Sequence, residues 1–199
     1  MSKVALRLGP ITLPWLGKPA DDPYWDFFLH TPPHDVQNSA VDLVRKAPEG
    51  AINPAQEEIH SPEINARHIK ELAVFLGAKL VGIAALDPTA PDTPEGYPFA
   101  IVNVVRAEHD PRETPGIGGQ VPVQNGLYVT FVLSAYIREL GFRATAKRPA
   151  DGVRLAAAAG LGTVDAQGRL VTPQYGAKVY VADIVFTDLP LAPDRSSRG

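Results

Sequence analysis

Apolar residues recur at three- and four-residue spacing through Ala66, Ile69, Leu72, Ala73 and Leu76, which is one stripe of an α-helix. Ser61 as N-cap, Pro62 at the first helical position and Glu63 beside the positive end of the dipole start that helix, and Gly77 stops it. Two short apolar, partly β-branched runs follow at 80–86 and 99–105, patterned like strands buried on both faces, with a proline-rich loop between them. Periodicity lapses over 107–120, where Pro111, Pro115, Gly116, Gly118 and Gly119 predict a loop. Helical spacing returns over about 123–140 with Gly141 as cap, and a shorter helix over about 153–159 stops at Gly160. Strands are predicted at 169–172 and 178–186.

Residues 1–60 carry Pro10, Pro14, Pro19, Pro23, Pro32, Pro33, Pro48 and Pro54, each of which denies a helix a backbone donor, so an extended arm is expected there. Its aromatic cluster Tyr24, Trp25, Phe27 and Phe28 is too apolar to leave in water and is expected to anchor the arm on the core or on a second subunit of a homodimer. The element order shows neither a repeat nor a regular βα alternation, which points to an α+β sandwich.

At 199 residues one domain is the default, and 45% hydrophobic with 21% charged residues is ordinary for a globular chain. A net charge of -3 with mixed signs leaves no basic field, so nucleic acid is not an expected partner. No apolar run reaches the roughly 18–20 residues of a membrane span and no leader is seen, so a cytoplasmic location is expected. The absence of cysteine excludes disulfides, thiolate nucleophiles and a self-ligated iron–sulfur cluster within these residues.

His30 and His34 stand at a helical ligand spacing, but Pro32 and Pro33 between them predict a polar turn rather than a metal site. His60, His68 and His109 form no ligand motif. The segment 116–119 is glycine-rich without the Lys-Ser or Lys-Thr of a phosphate loop, and reads as a surface loop. The Asp-x-His-x-x-Gly signature that brings a histidine to the cobalt of some cobalamin proteins is missing. Gly160, Leu161 and Gly162 close the small-faced run AAAAGLG in a tight turn that lets backbone approach a flat ligand or another element.

That turn keeps particular company: GRLVTPQYGAK at 168–178, TDLPL at 187–191, HIKELAVFLGAKLVGIAAL at 68–86 and AYIRELGFRA at 135–144. In this order the blocks resemble the core of reductive dehalogenases, and more distantly that of epoxyqueuosine reductases, over roughly 62–191. The resemblance implies a nitroreductase-like sandwich, a mixed sheet with flanking helices, that holds cobalamin without a histidine below the cobalt. It assigns 1–60 to the arm, 61–191 to the cobalamin-binding core and 192–199 to a flexible tail. It also implies reduction of a small, commonly halogenated, organic substrate by the cofactor, while a tyrosine gives a proton and a neighbouring cation favours its phenolate.

Carried over by position, Gly160, Leu161, Gly162, Thr172, Tyr175 and Gly176 would line the cofactor, Lys178 would be the cation and Tyr128 the proton donor. A solvated strand-end lysine and a half-buried helix tyrosine are the alternative accounts of the last two. Ala146 stands nearest the aspartate that epoxyqueuosine reductases use as proton donor. The family's cysteine-rich segment after TDLPL is not found, so an external electron donor or reductase is expected as partner. Two further readings stay open: flavin mononucleotide (FMN) in place of cobalamin, and a non-catalytic corrinoid carrier or scaffold.

Overall fold

The computed structural model describes residues 3–8, 11–19, 33–89, 93–107 and 117–194, with side chains from residue 40 onward except at 117–119. Strands β1 (Lys3–Leu8) and β2 (Ile11–Pro19) form an antiparallel hairpin, and helix α1 (Pro33–Lys46) follows. Regular structure thus occupies much of the expected extended arm. Pro14 and Pro19 are tolerated because a two-stranded hairpin consists only of edges, and Pro33 begins α1, where its missing N–H would have had no partner. Arg45 and Lys46 sit at the negative end of the α1 dipole. The aromatic cluster at 24–28 lies outside the described residues.

Helix α2 (Pro62–Phe75) starts behind an extended Ser61, and Gly77 at φ 117° turns the chain out of it. Asn65 on its first turn donates to the carbonyls of His60 (3.1 Å) and Pro190 (3.2 Å), tying the helix start to the end of the core. The main sheet contains β3 (Leu80–Ala85), β4 (Phe99–Arg106), β5 (Ala144–Lys147), β8 (Val179–Val181) and β9 (Ile184–Thr187). Its order is β3-β4-β9-β5, with β8 also on β4.

Every pairing in that sheet is antiparallel, where a mixed sheet was expected. Helix α3 (Ile117–Glu139) does connect two strands of like direction, β4 and β5, but β9 inserts between them and runs opposite to both. The single strand expected at 178–186 is divided at Ala182 and Asp183, because Asp183 leaves the ladder to pair with Arg45.

The double-faced burial read from the strands holds. Ile83, Ile101 and Val185 pack with Ile69, Ala73, Leu133 and Ile137 of α2 and α3 on one face. Their neighbours Ala84, Ala100, Val102, Ile184 and Phe186 pack with Ala156, Ala159 and Leu170 on the other. That second face is covered by α4 (Gly152–Ala158) and a small hairpin, β6 (Thr163–Val164) and β7 (Leu170–Val171). Side chains as buried as Leu133 and Phe186 contribute about 1.5–3 kcal/mol each.

Helix α3 begins inside the segment predicted as loop. Pro122 falls in its second turn, where it forfeits one bond to the residue four before it without ending the helix. Of the expected flexible tail, 192–194 are held in place. The Ala192 N–H donates to Pro62 (3.0 Å) and the Asp194 N–H to Ile83 (2.8 Å), while the Asp194 carboxylate accepts from the Ile83 N–H (2.8 Å) and from Lys70 (2.5 Å). Among the described residues no helix is long and apolar enough to cross a membrane.

Candidate functional site

Beyond α4, Gly160 at φ 76° reverses the chain, and the N–H groups of Gly160 and Leu161 bond back to the carbonyls of Ala157 (3.0 Å) and Ala156 (3.1 Å). The turn lands on β3 at Gly82, where a Cβ would meet the Ala159 Cβ at 2.7 Å and the Leu161 Cγ at 3.0 Å. Gly162 in turn lies on β7, since a Cβ there would stand 2.9 Å from the Val171 carbonyl carbon and 3.1 Å from the Thr172 Cα. The space beside Gly162 is filled by the chain's own hairpin.

Thr172 is buried, and its hydroxyl organises the next turn by donating to the Gly176 carbonyl (3.2 Å) and accepting from the Tyr175 N–H (3.1 Å). Paired backbone bonds of 2.9 Å join Thr172 and Gly176. Gly176, at φ 56°, has no heavy atom within 4 Å of where a Cβ would be. Lys178 follows, its N–H on the Tyr175 carbonyl (3.1 Å), its own carbonyl accepting from Ala107 (3.0 Å), and its side chain exposed. The structure therefore brings Gly160, Leu161, Gly162, Thr172, Tyr175, Gly176 and Lys178 together. Tyr128 stands apart on α3, which covers the opposite face of the sheet from α4; it is 56% exposed, and no hydrogen bond joins it to Lys178. Ala146 is exposed on β5.

A different tyrosine has a cation beside it. Lys178 immediately precedes β8, two residues before Tyr180, which faces α3 on the side of the strand opposite Val179 and Val181. Tyr180 is buried against α3, with its Cε1 3.6 Å from where a Gly126 Cβ would be. Nη1 of Arg148 donates to the Tyr180 hydroxyl, and the same guanidinium lies 5.3 Å from the ring centroid. Because that oxygen accepts from Arg148, the phenol proton stays available to another acceptor. Next to it, Arg45 grips Asp183 through Nε (2.8 Å) and Nη2 (2.9 Å). The hydrogen bond to Asp183 raises the Arg45 guanidinium above its ordinary range, against the opposing effect of burial. The sequence holds no local signal for this cluster, since Arg45, Arg148 and Tyr180 come from distant segments.

A cavity of about 100 Å³ lies between α1 and α3, edged by Arg45, Glu49, Thr130, Ser134, Arg138 and Asp183. Ligand pockets run to roughly 300–1,000 Å³, so this one is too small for a corrinoid or flavin, and none of the glycine-turn residues lines it. Among the described residues no group of three or more histidines and carboxylates is placed to hold a metal. His60 and His68 stack edge to face at 5.5 Å, while His30 and His109 lie outside the described residues.

Searched against family models, the chain matches none, and no curated protein matches it either. Solved structures do. The catabolic reductive dehalogenase NpRdhA, in complex with 3-bromo-4-hydroxybenzoic acid, is 28% identical, with a TM-score of 0.68 over 82% of this chain and 25% of that one. A reductive dehalogenase whose structure suggests a mechanism for B12-dependent dehalogenation is 22% identical, with a TM-score of 0.64 over 79% of this chain and 26% of that one. Epoxyqueuosine reductase from Bacillus subtilis is similar in fold alone, at 12% identity and a TM-score of 0.52 over 68% of this chain and 48% of that one. The chain spans about a quarter of the length of the dehalogenases and about half that of the epoxyqueuosine reductase. The resemblance drawn from the sequence blocks is thus met by the structural neighbours.

Proposed function

We propose that this chain is a corrinoid-binding module of reductive-dehalogenase type, built on a nitroreductase-like core, which reduces a halogenated organic substrate with electrons from an external donor. The observation that carries the reading is the convergence of the Gly160–Gly162 turn, the Thr172–Gly176 turn and Lys178, in a chain that shares 82% of its length with NpRdhA. The Thr172–Gly176 turn fits a large flat cofactor in one concrete respect: at Gly176 the space a side chain would fill is open, so backbone can come close to a ring. Gly162 does not share that role, because β7 already occupies the space beside it.

When bound, a corrinoid supplies the two-electron reduction of the carbon–halogen bond. The chain's own residues do the rest. Thr172 pins the open turn from within, and Lys178 sets a positive charge at the same edge. Tyr180, which like Tyr128 lies on the α3 face, is the proton source this reading favours, because Arg148 holds its oxygen and leaves its proton to give. These residues hold no cysteine to ligate a cluster, so the electrons would reach the cofactor from outside them.

Titration of the purified chain with cobalamin, followed by its visible spectrum and by co-elution, tests the reading. A saturable spectral change with co-elution is expected; neither effect, or a protein that arrives yellow with FMN, would overturn it. In cobalt-reduced protein given an artificial donor and a halogenated phenol, Tyr180→Phe is expected to lose turnover and keep cobalamin uptake. Loss in Tyr128→Phe instead would move the proton role to α3.

A further inference from the structure

Arg138 lies near the end of α3 and is 7% exposed. Nη1 donates to the carbonyl of Ala144 at 2.9 Å, and among the described residues Arg138 makes no ion pair. A buried charge is normally paired, because water cannot reach in to solvate it. A guanidinium also carries five N–H donors in a rigid fork, and one carbonyl satisfies few of them.

The Nε–Nη2 edge of that fork, which grips carboxylates and phosphates in pairs of bonds, borders Gly50. A Cβ at Gly50 would lie 3.6 Å from Nε and 3.7 Å from Nη2, so the residue there offers the cation no side chain. The other polar groups around the cavity have partners of their own. Both Asp183 oxygens hold Arg45, and Glu49 accepts from the Thr145 hydroxyl at its exposed position. The hydroxyls of Thr130 and Ser134 donate to carbonyls of their own helix. What remains is a cavity of about 100 Å³ with Arg138, which makes no ion pair among the described residues, on its wall. Since a water takes about 30 Å³, there is room for one compact anion and little else.

We propose that the cavity between α1 and α3 is a binding site for a small oxyanion or carboxylate, held by the Arg138 guanidinium on its wall, with Arg45 adding positive charge and Glu49 opposing it. The site stands apart from the glycine turns and does not rest on the corrinoid reading.

Thermal melts of the wild-type chain, titrated in separate arms with phosphate, acetate and chloride, provide the test. A saturable rise in Tm is expected for phosphate or acetate, reaching about 5–10 °C at a hundredfold excess over Kd, with chloride weaker because a single atom cannot match two parallel N–H bonds as a pair of oxygens does. Phosphate ahead of acetate would name an inorganic oxyanion, and the reverse a carboxylate metabolite. Arg138→Lys, which keeps the charge but loses the fork, should weaken the shift at least tenfold in concentration, about what one charged hydrogen bond accounts for. Glu49→Gln should strengthen it severalfold, an effect that a purely structural Arg138 would not produce. No saturable shift in the wild type, equal shifts from all three anions, or a Glu49→Gln affinity equal to wild type would each overturn the proposal, even if Arg138 variants fail to fold.

Discussion

Replacing Gly162 by alanine is expected to destabilise the fold with no ligand present. The added Cβ would stand 2.9 Å from the Val171 carbonyl carbon and 3.1 Å from the Thr172 Cα, with the Val171 oxygen nearer still, whereas ordinary contact begins near 3.4 Å. All of these are backbone atoms. Their position is fixed by the Thr163↔Val171 pairing and by the bonds between Thr172 and Gly176, so they cannot swing aside as the end of a side chain would. Overpacking of this kind costs about 1–3 kcal/mol, and with rigid neighbours the upper half of that range applies. With an unfolding slope of about 1–3 kcal/mol per molar urea, the midpoint should fall by about 1 M, and Tm by about 4–10 °C. Gly176→Ala is the control: it meets no clash and pays only for left-handed backbone, about 1–2 kcal/mol. The assay is urea unfolding of the ligand-free chain followed by circular dichroism. A Gly162→Ala protein as stable as wild type but unable to take up cobalamin would refute the reasoning, because the space beside Gly162 would then belong to the ligand and not to β7.

Three further outcomes are expected. Asn103 is fully buried in β4 with neither amide atom partnered, so Asn103→Leu should raise stability by about 1–3 kcal/mol in equilibrium unfolding; a loss instead would mean that the amide has a partner, such as a bound water. Asp183→Ala should cost about 2–4 kcal/mol, less than a wholly buried pair because Arg45 reaches solvent, and adding Arg45→Met should recover much of the loss; an additive double variant would show that the pair is not coupled. The Arg169 backbone N–H, helped by the Arg169 guanidinium, lowers the Asp165 carboxyl below its ordinary range. A lowered folded pKa gives stability that is present above the unfolded value and lost as pH falls through the folded one, so Asp165→Asn should flatten the acid limb of a stability–pH curve below about pH 4; an unchanged limb would exclude the effect.

The elements legible in the sequence are those whose own residues settle their state. Ser61, Pro62 and Gly77 bracket α2 by local backbone chemistry, and the apolar run of β4 is buried on both faces as its pattern requires. The elements that sequence reasoning missed take their partners from elsewhere. β5, only four residues long, is a strand because β9 lies beside it, and β9 is separated from β8 because Asp183 turns aside to Arg45, 138 positions earlier. The same division runs through the candidate site. The glycine turns were visible because φ 76° and φ 56° are conformations that only a few residues accept, and the sequence places glycine at both. What those glycines face was not visible: Gly162 and Gly176 read alike as letters, yet one is packed against β7 and the other is open. The Tyr180–Arg148 pair and the buried Arg138 lay deeper still, because a cation's role depends on which charges the fold leaves near it. A guanidinium in a sequence is one more surface charge by default; buried at 7% exposure with no ion pair among the described residues, it becomes a candidate for holding a ligand.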